Sequence, residues 1–419
     1  MIIENLRIER SSDESKLIVD LHSETIGDDR LWFSVPNEYS EYLTNDRFDA
    51  FLVGMLYPAM MYGEDIEIKG CVSERLLFNI NTYVISLLRS FSSEVKHINV
   101  IAEDTSSEKL VNTDVGTGFS GGVDSFCTIY DHFTLASNIN FRISKLLFFN
   151  VGSHGKYKDL STHKKYQSRF DYLKSFATEV ELDFIRLDSN LHKYHVWKHE
   201  KTSPLTITAG VLVLQNLFHT YYISSSLSYS EIPKFMRYEI NKYMHSYSDP
   251  ILLPLLSTES LQFIPDGQQY LRSEKIRRIA NYNSANKFLN VCVNSNEETS
   301  RNCSICSKCM RTISVLESLD LLEQFKNIFD YDLYRRKRFR YMAKLRIDYN
   351  KSPFAKDNID VARANGKYVP SILLSIIFLF PKILINVIRA MLHFTLGKQY
   401  KIFTRRIKNW GKKSSQESL

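Results

Sequence analysis

The sequence predicts an α/β protein. A parallel, doubly wound sheet is expected over residues 113–325, preceded by a small α+β domain (1–112) and followed by a basic and apolar helical region (326–419). Three observations predict this. Apolar runs of strand length alternate with segments of helical period through the middle of the chain, as βαβ units do. The first such strand ends in a glycine-rich turn that opens a helix. The composition, with 44% apolar and 24% charged residues among 419 and only 15 Gly and 10 Pro, is that of packed globular domains and excludes disordered or collagen-like chains.

In the N-terminal part, 46–57 has helical spacing and is expected to stop before Pro58, because proline has no N–H for the helix ladder. Residues 65–69 alternate as a strand, 73–91 read as a helix, and 98–101 as a further strand. The central strands are expected at 115–119, 145–150, 183–188 and 220–225. The helices between them are expected at 124–133, 159–179 and 204–218, the last with Ser203 as N-cap and Pro204 at the first helical position. Ligands of such sheets sit beyond the carboxyl ends of the strands, which selects the loops after Phe119, Asn150, Asp188 and Ser225.

Charge is unevenly distributed. From Lys326 onward there are 21 Lys/Arg and 6 Asp/Glu, a net of +15, which leaves −8 on the first 325 residues. An acidic body does not suit a DNA-coating protein. The opening stretch 1–14 mixes charges without an apolar core, so no secretory leader is expected and the chain is expected to be cytoplasmic.

The strongest local pattern is GFSGGVDS at 118–125. A strand end, two adjacent glycines and a helix start turn successive N–H groups into one concavity, where the helix dipole also favours an anion. Ser120 and Ser125 add hydroxyls, and the absence of the Walker lysine distinguishes the loop from a P-loop.

The stretch SGGVDS resembles the hallmark of the PP-loop ATP pyrophosphatases. That resemblance implies a sheet of the adenine-nucleotide α-hydrolase type and cleavage of ATP between its α and β phosphates. A carboxylate or carbonyl oxygen would take AMP, pyrophosphate would leave, and a nitrogen or sulfur nucleophile would then attack. It implies that Ser120, Gly121, Gly122, Val123, Asp124 and Ser125 hold the pyrophosphate half of ATP, and that Asn150 and Gly152 approach the adenine.

The second pattern is Cys303, Cys306 and Cys309 at two-residue gaps, with Cys292 at the end of an expected strand 288–292. Four thiols so arranged suit a tetrahedral, structural Zn²⁺ pinning a helix over 308–325, and an iron–sulfur cluster is the competing occupant. Such clustering in a leaderless chain points to a metal site rather than a disulfide framework. Glycine loop and cysteines together resemble the 7-cyano-7-deazaguanine synthase family over residues 115–325. The long gap between Cys292 and Cys303, and the unfamiliar sequence over 229–266, point to a different acid substrate.

On the expected helix 272–280, Arg272 and Lys275 share a face and are candidates to counter phosphate charge; a solvated helix face is the alternative. Asp124 is expected either to help hold Mg²⁺ or to cap its helix. Cys127 is expected in the core, 248–259 is expected to be a loop that either lines the cleft or is simply solvated, and His154 is the histidine singled out for testing, ahead of His192, His195 and His199.

The tail contains 14 uncharged residues at 368–381, short of the ~20 needed to span a bilayer. Seven Lys/Arg without an acid follow at 398–413, the pattern of an anchor at the inner, anionic face of a membrane; a helical hairpin packed on the catalytic domain, with a solvated basic end, is the alternative. The reading that unites these features is an ATP-dependent, AMP-forming ligase that adenylates a small carboxylate for attack by ammonia or an amine. Its cofactors would be ATP, Mg²⁺ and Zn²⁺. The alternatives are a tRNA-modifying sulfur or amine transferase, with tRNA the weaker partner, and a non-catalytic nucleotide-binding protein at a membrane.

Overall fold

The computed structural model describes residues 1–157, 159–196, 199–233, 247–292 and 302–381. The basic stretch 398–413, the gap before Cys303 and part of 229–266 lie outside the described residues.

Two compact units divide at Tyr331. The first is an α/β unit in which, among the described residues, ten strands form one large, mostly parallel sheet in the order β10-β9-β6-β7-β8-β3-β2-β1-β4-β5. The strands are β1 (Ile2–Arg10), β2 (Glu14–Ser23), β3 (Gly27–Pro36), β4 (Ile66–Ser73), β5 (Val100–Ser106), β6 (Asp114–Gly118), β7 (Lys145–Asn150), β8 (Asp183–Ser189), β9 (Phe218–Ser224) and β10 (Gln262–Asp266). Strands β10, β9, β6, β7 and β8 are mutually parallel. Strand β3 joins β8 antiparallel through Phe33 and Ser34, so the sheet runs on across residue 112.

Helices cover both faces. The principal ones are α1 (Asp49–Tyr62), α2 (Glu74–Asn79), α3 (Ile85–Phe91), α4 (Val123–Ile129), α5 (Leu160–Glu179) and α6 (His199–Leu212). Side chains of a strand alternate between faces, and β7 shows the consequence. Leu147 and Phe149 enter the core shared with α1 and α6, while Phe148 stacks on Tyr166 of α5 at 5.2 Å. On that second side Phe119, Phe126 and Phe176 meet with centroids 4.5 to 5.1 Å apart.

Several elements differ from expectation for identifiable reasons. Helix α1 continues past Pro58 to Tyr62. Proline at 58 frees the carbonyl of Gly54, and His195 Nε2 donates to that oxygen at 2.7 Å, so the break is repaired from another element. Helix α6 starts at His199, which puts Pro204 in its second turn rather than at its first position. The segment 73–91 is helical with a π turn at Ile80–Val84, and Ser73 caps it by accepting the Leu76 N–H at 3.0 Å. The expected loop at 248–259 contains a helix, Asp249–Leu255, with Pro250 in its first turn.

The expected strand 288–292 is not a strand. A short helix, Ala285–Phe288, precedes it, and its backbone is satisfied elsewhere: Asn302 accepts from the Val291 N–H and donates to the Leu289 carbonyl, both at 2.8 Å. The helix after the cysteines runs Ser307–Ser318. A residue with positive φ, Asp320, ends it before a 3₁₀ turn at Leu322–Phe325.

The second unit contains the helices Tyr331–Ile347, Pro353–Ala364 and Ile372–Leu379. Its small core is formed by Met342, Leu345, Ala355, Ile359 and Ala362. Among the described residues no helix is long and apolar enough to cross a membrane.

Candidate functional site

From β6 the chain proceeds outward to β7 and β8, then returns to place β9 and β10 on the other side of β6. The crevice beyond the carboxyl ends of β6 and β9 is therefore a topological switch point, where open α/β sheets bind ligands. The glycine loop occupies it.

Gly121 has φ +72°, and a Cβ there would stand 2.6 Å from Leu173 Cδ2, so both backbone conformation and space require glycine. Gly122 is the N-cap residue of α4, which continues through a π turn to Thr134. The Ser125 hydroxyl donates to the Gly122 carbonyl at 3.1 Å and lies 3.3 Å from the Ser120 hydroxyl. Val123 is fully buried, so it contributes through its backbone.

Asp124 is engaged on both carboxylate oxygens, one by Arg272 and the other by Lys275 Nζ at 3.0 Å. Burial alone would raise its pKa; the adjacent Arg272 and Lys275 outweigh it and hold the carboxyl well below the usual range. Lys275 is fully buried and also donates to the Ser225 carbonyl, in the loop after β9. The side chain therefore bridges both sides of the crevice. In this arrangement both carboxylate oxygens of Asp124 serve cations of the protein itself.

Two further cationic residues lie nearby. Arg169 of α5 donates to the Ser120 carbonyl at 3.4 Å. Lys308, in the helix Ser307–Ser318, keeps exposed surface, yet desolvation and then Arg272 depress its pKa, with Asp124 opposing and Arg311 and Arg169 adding to the depression. The Nε atoms of Arg169 and Arg272 are buried and have no acceptor among the described residues. Unpaired buried guanidinium donors beside a loop of backbone N–H groups are the chemistry of an anion seat.

Sequence reasoning missed Arg169 and Lys308 as site residues. Arg169 lies 49 residues from Ser120 on a helix without a local motif. Lys308 was legible only as a spacer between two cysteines.

At the carboxyl end of β7, Asn150 Nδ2 donates to Asp188 at 2.7 Å, and its buried Oδ1 has no partner among the described residues. Gly152 has φ +117°, and a Cβ there would lie 3.2 Å from His199 Nδ1. His154 packs against Phe148 and Tyr166, and burial pushes its pKa down to about 3, so it is a neutral ring. Cys127 is fully buried, and burial raises its thiol pKa far above the range of a nucleophile.

Beside the loop, the sulfurs of Cys292, Cys303, Cys306 and Cys309 all lie within 4.8 Å of one another. Thiolates about 2.3 Å from one zinc ion would be about 3.8 Å apart, and Cys292 and Cys306 are separated by 4.0 Å. The N–H groups of Cys303, Cys306 and Cys309 point at the sulfurs of Cys292, Cys303 and Cys306 at 3.3 to 3.5 Å. Such donors stabilise thiolates around a cation. The four-cysteine cluster can bind a metal such as zinc.

Comparison with protein-family models, with curated proteins and with solved structures found no match.

Proposed function

We propose that the first unit is an ATP-dependent, AMP-forming ligase of the PP-loop kind, acting on a small carboxylate with ammonia or an amine as the second substrate. The observation that carries this reading is the loop at the switch point: Gly121 sits at φ +72° with no room for a Cβ, Arg169 touches the loop at the Ser120 carbonyl, and Arg272 and Lys275 grip Asp124 at its helix end. A seat with that much positive charge and one internally neutralised carboxylate suits a polyphosphate better than a single carboxylate ligand.

In this reading an oxygen of the substrate acid attacks the α-phosphorus, and the bond from that phosphorus to the bridging oxygen breaks. The departing pyrophosphate gains negative charge as it leaves, and Arg272, Lys275 and the loop N–H groups offset that charge. A nitrogen nucleophile then attacks the acyl carbon, AMP leaves, and the nitrogen loses a proton. Mg²⁺ carried by ATP would spread the charge on the phosphates. The protein's part is positioning and fixed electrostatics, with Asp124 keeping Arg272 and Lys275 aimed at the loop. A Zn²⁺ held by the four cysteines would be structural, since all four positions of a tetrahedron are filled.

Sulfur transfer is less well supported. It needs an available thiol, and outside the metal cluster the cysteines are Cys127, buried in the core, and Cys71, in β4 of the N-terminal half.

The test is a screen of carboxylic acids for ATP–pyrophosphate exchange, followed by AMP release on adding ammonia. Acid-stimulated exchange in wild type that disappears in Lys275→Ala is the expected result. Nucleotide binding with no exchange across the acids would leave the site a sensor rather than a ligase.

A further inference from the structure

We propose that the C-terminal unit docks on the surface of a bilayer containing anionic phospholipid, a property independent of the ligase reading. The helix Ile372–Leu379 has the sequence ILLSIIFL, and Ile372, Leu373, Leu374, Ile376 and Phe378 are all exposed, as is Phe380 just beyond it. These positions are distributed around the helix rather than along one stripe, whereas Ser375 is buried. A helix apolar on all sides belongs in an apolar medium. Eight residues span only about 12 Å, far short of the ~30 Å hydrocarbon core. Insertion among the acyl chains of one leaflet, with the neighbouring cations left at the headgroups, is the placement that satisfies both facts.

Positive charge is held next to this apolar surface. Phe378 packs edge-on against Phe339 at 4.7 Å, which fixes the apolar helix against Tyr331–Ile347. That second helix exposes Arg335, Arg336, Lys337, Arg340 and Lys344. The sequence beyond continues the theme: residues 383–397 contain one charged residue, Arg389, and 398–413 carry seven Lys/Arg with no acid and include Trp410. Apolar segments flanked by cations and an indole match an interface of acyl chains below and anionic headgroups above.

Two other occupants fit less well. Residues 383–397 folding back would bring a second apolar segment, with its own need for cover. A second copy would place two strongly basic units against each other, with repulsion that only anions between them would relieve.

The experiment uses the full chain with vesicles of phosphatidylcholine, with and without phosphatidylglycerol, read by co-sedimentation alongside light-scattering mass in solution. Binding to the phosphatidylglycerol vesicles that falls with added salt is expected. Leu373→Asp, at a position 66% exposed, and the pair Arg335→Glu/Arg336→Glu should each weaken it about tenfold or more. Unchanged thermal midpoints in these variants would show that folding is not the cause. Equal binding to pure phosphatidylcholine, or none to either vesicle, would overturn the proposal. So would a dimer mass that Leu373→Asp reduces to a monomer without vesicle binding. A lowered midpoint with unchanged vesicle binding in Leu373→Asp would show that the chain itself covers the helix, and would overturn it too. Nucleotide turnover enters none of these readouts, so the ligase reading stands or falls separately.

Discussion

The backbone N–H of Asn290 donates to the carbonyl of Gly121 at 2.7 Å. Two residues further on is Cys292, so the segment that enters the cysteine cluster is stitched to the loop that would receive phosphate. Cysteine cluster and loop are therefore mechanically coupled, and the cluster also sets the position of Lys308 between Cys306 and Cys309.

Replacing Cys306 with Ser should release the metal, lower the thermal midpoint and weaken nucleotide binding together, because metal binding is coupled to folding. Metal content by mass spectrometry and a nucleotide titration read the two effects. Full nucleotide affinity in a metal-free protein would contradict the coupling.

Asp124→Asn leaves Arg272 and Lys275 without their shared counter-charge. Breaking a fully buried pair costs about 3–5 kcal/mol; with the Asp124 side chain 23% exposed the cost should be smaller, and acid-dependent pyrophosphate release should fall by at least about a hundredfold. The pH dependence has a definite sign. Because Arg272 and Lys275 outweigh burial and depress the folded-state pKa of Asp124, its stabilisation is complete above the usual carboxylate pKa of about 3.9 and is lost as pH falls below that. Acid unfolding of wild type against Asp124→Asn would show this contribution only in the wild type.

Gly121→Ala introduces a Cβ into a backbone at φ +72° with Leu173 Cδ2 2.6 Å away. A destabilisation of about 1–3 kcal/mol from the backbone alone is expected, with nucleotide binding lost. Gly122→Ala, whose added Cβ would meet the Ser120 hydroxyl at 3.4 Å, should be the milder change in a denaturant titration.

His195 and Pro58 should be coupled. His195→Leu leaves the buried Gly54 carbonyl unpaired, at a cost of about 1–3 kcal/mol. In a Pro58→Ala background the restored N–H can take that carbonyl, and the same change at 195 should cost less. Burial lowers the His195 pKa from 6.5 to about 4. Its stabilising effect is therefore full above pH 6.5 and declines as pH falls towards about 4, because the unfolded chain binds the proton first. A double-mutant cycle measured at two pH values tests both statements.

The glycine loop and the cysteines were legible in the sequence because each is a local pattern: the neighbours that give GFSGGVDS its geometry lie within eight positions. Arg272 and Lys275 were legible as one helix face, though not that Asp124 joins them. The path of α1 through Pro58 was not, since its remedy is supplied by a residue 141 positions from Gly54. Strands β1 to β3 escaped notice for a similar reason. Their membership of the sheet depends on antiparallel partners and on a junction with β8, and β1 itself is largely polar and half-exposed. The strand expected before Cys292 failed because a side chain, Asn302, takes the place of a neighbouring strand.

The junction between β3 and β8 has a consequence for the far side of the molecule. Trp32 and Arg30 clasp the end of β8 through Ser189 and Asn190, with bonds of 2.6 to 2.9 Å. Adjacent to these, Asp188 holds the amide of Asn150. The first hairpins of the chain thus act as a buttress: loosening the grip at Trp32 would let Asn150 swing, and a change near the amino terminus would be felt at the carboxyl end of β7.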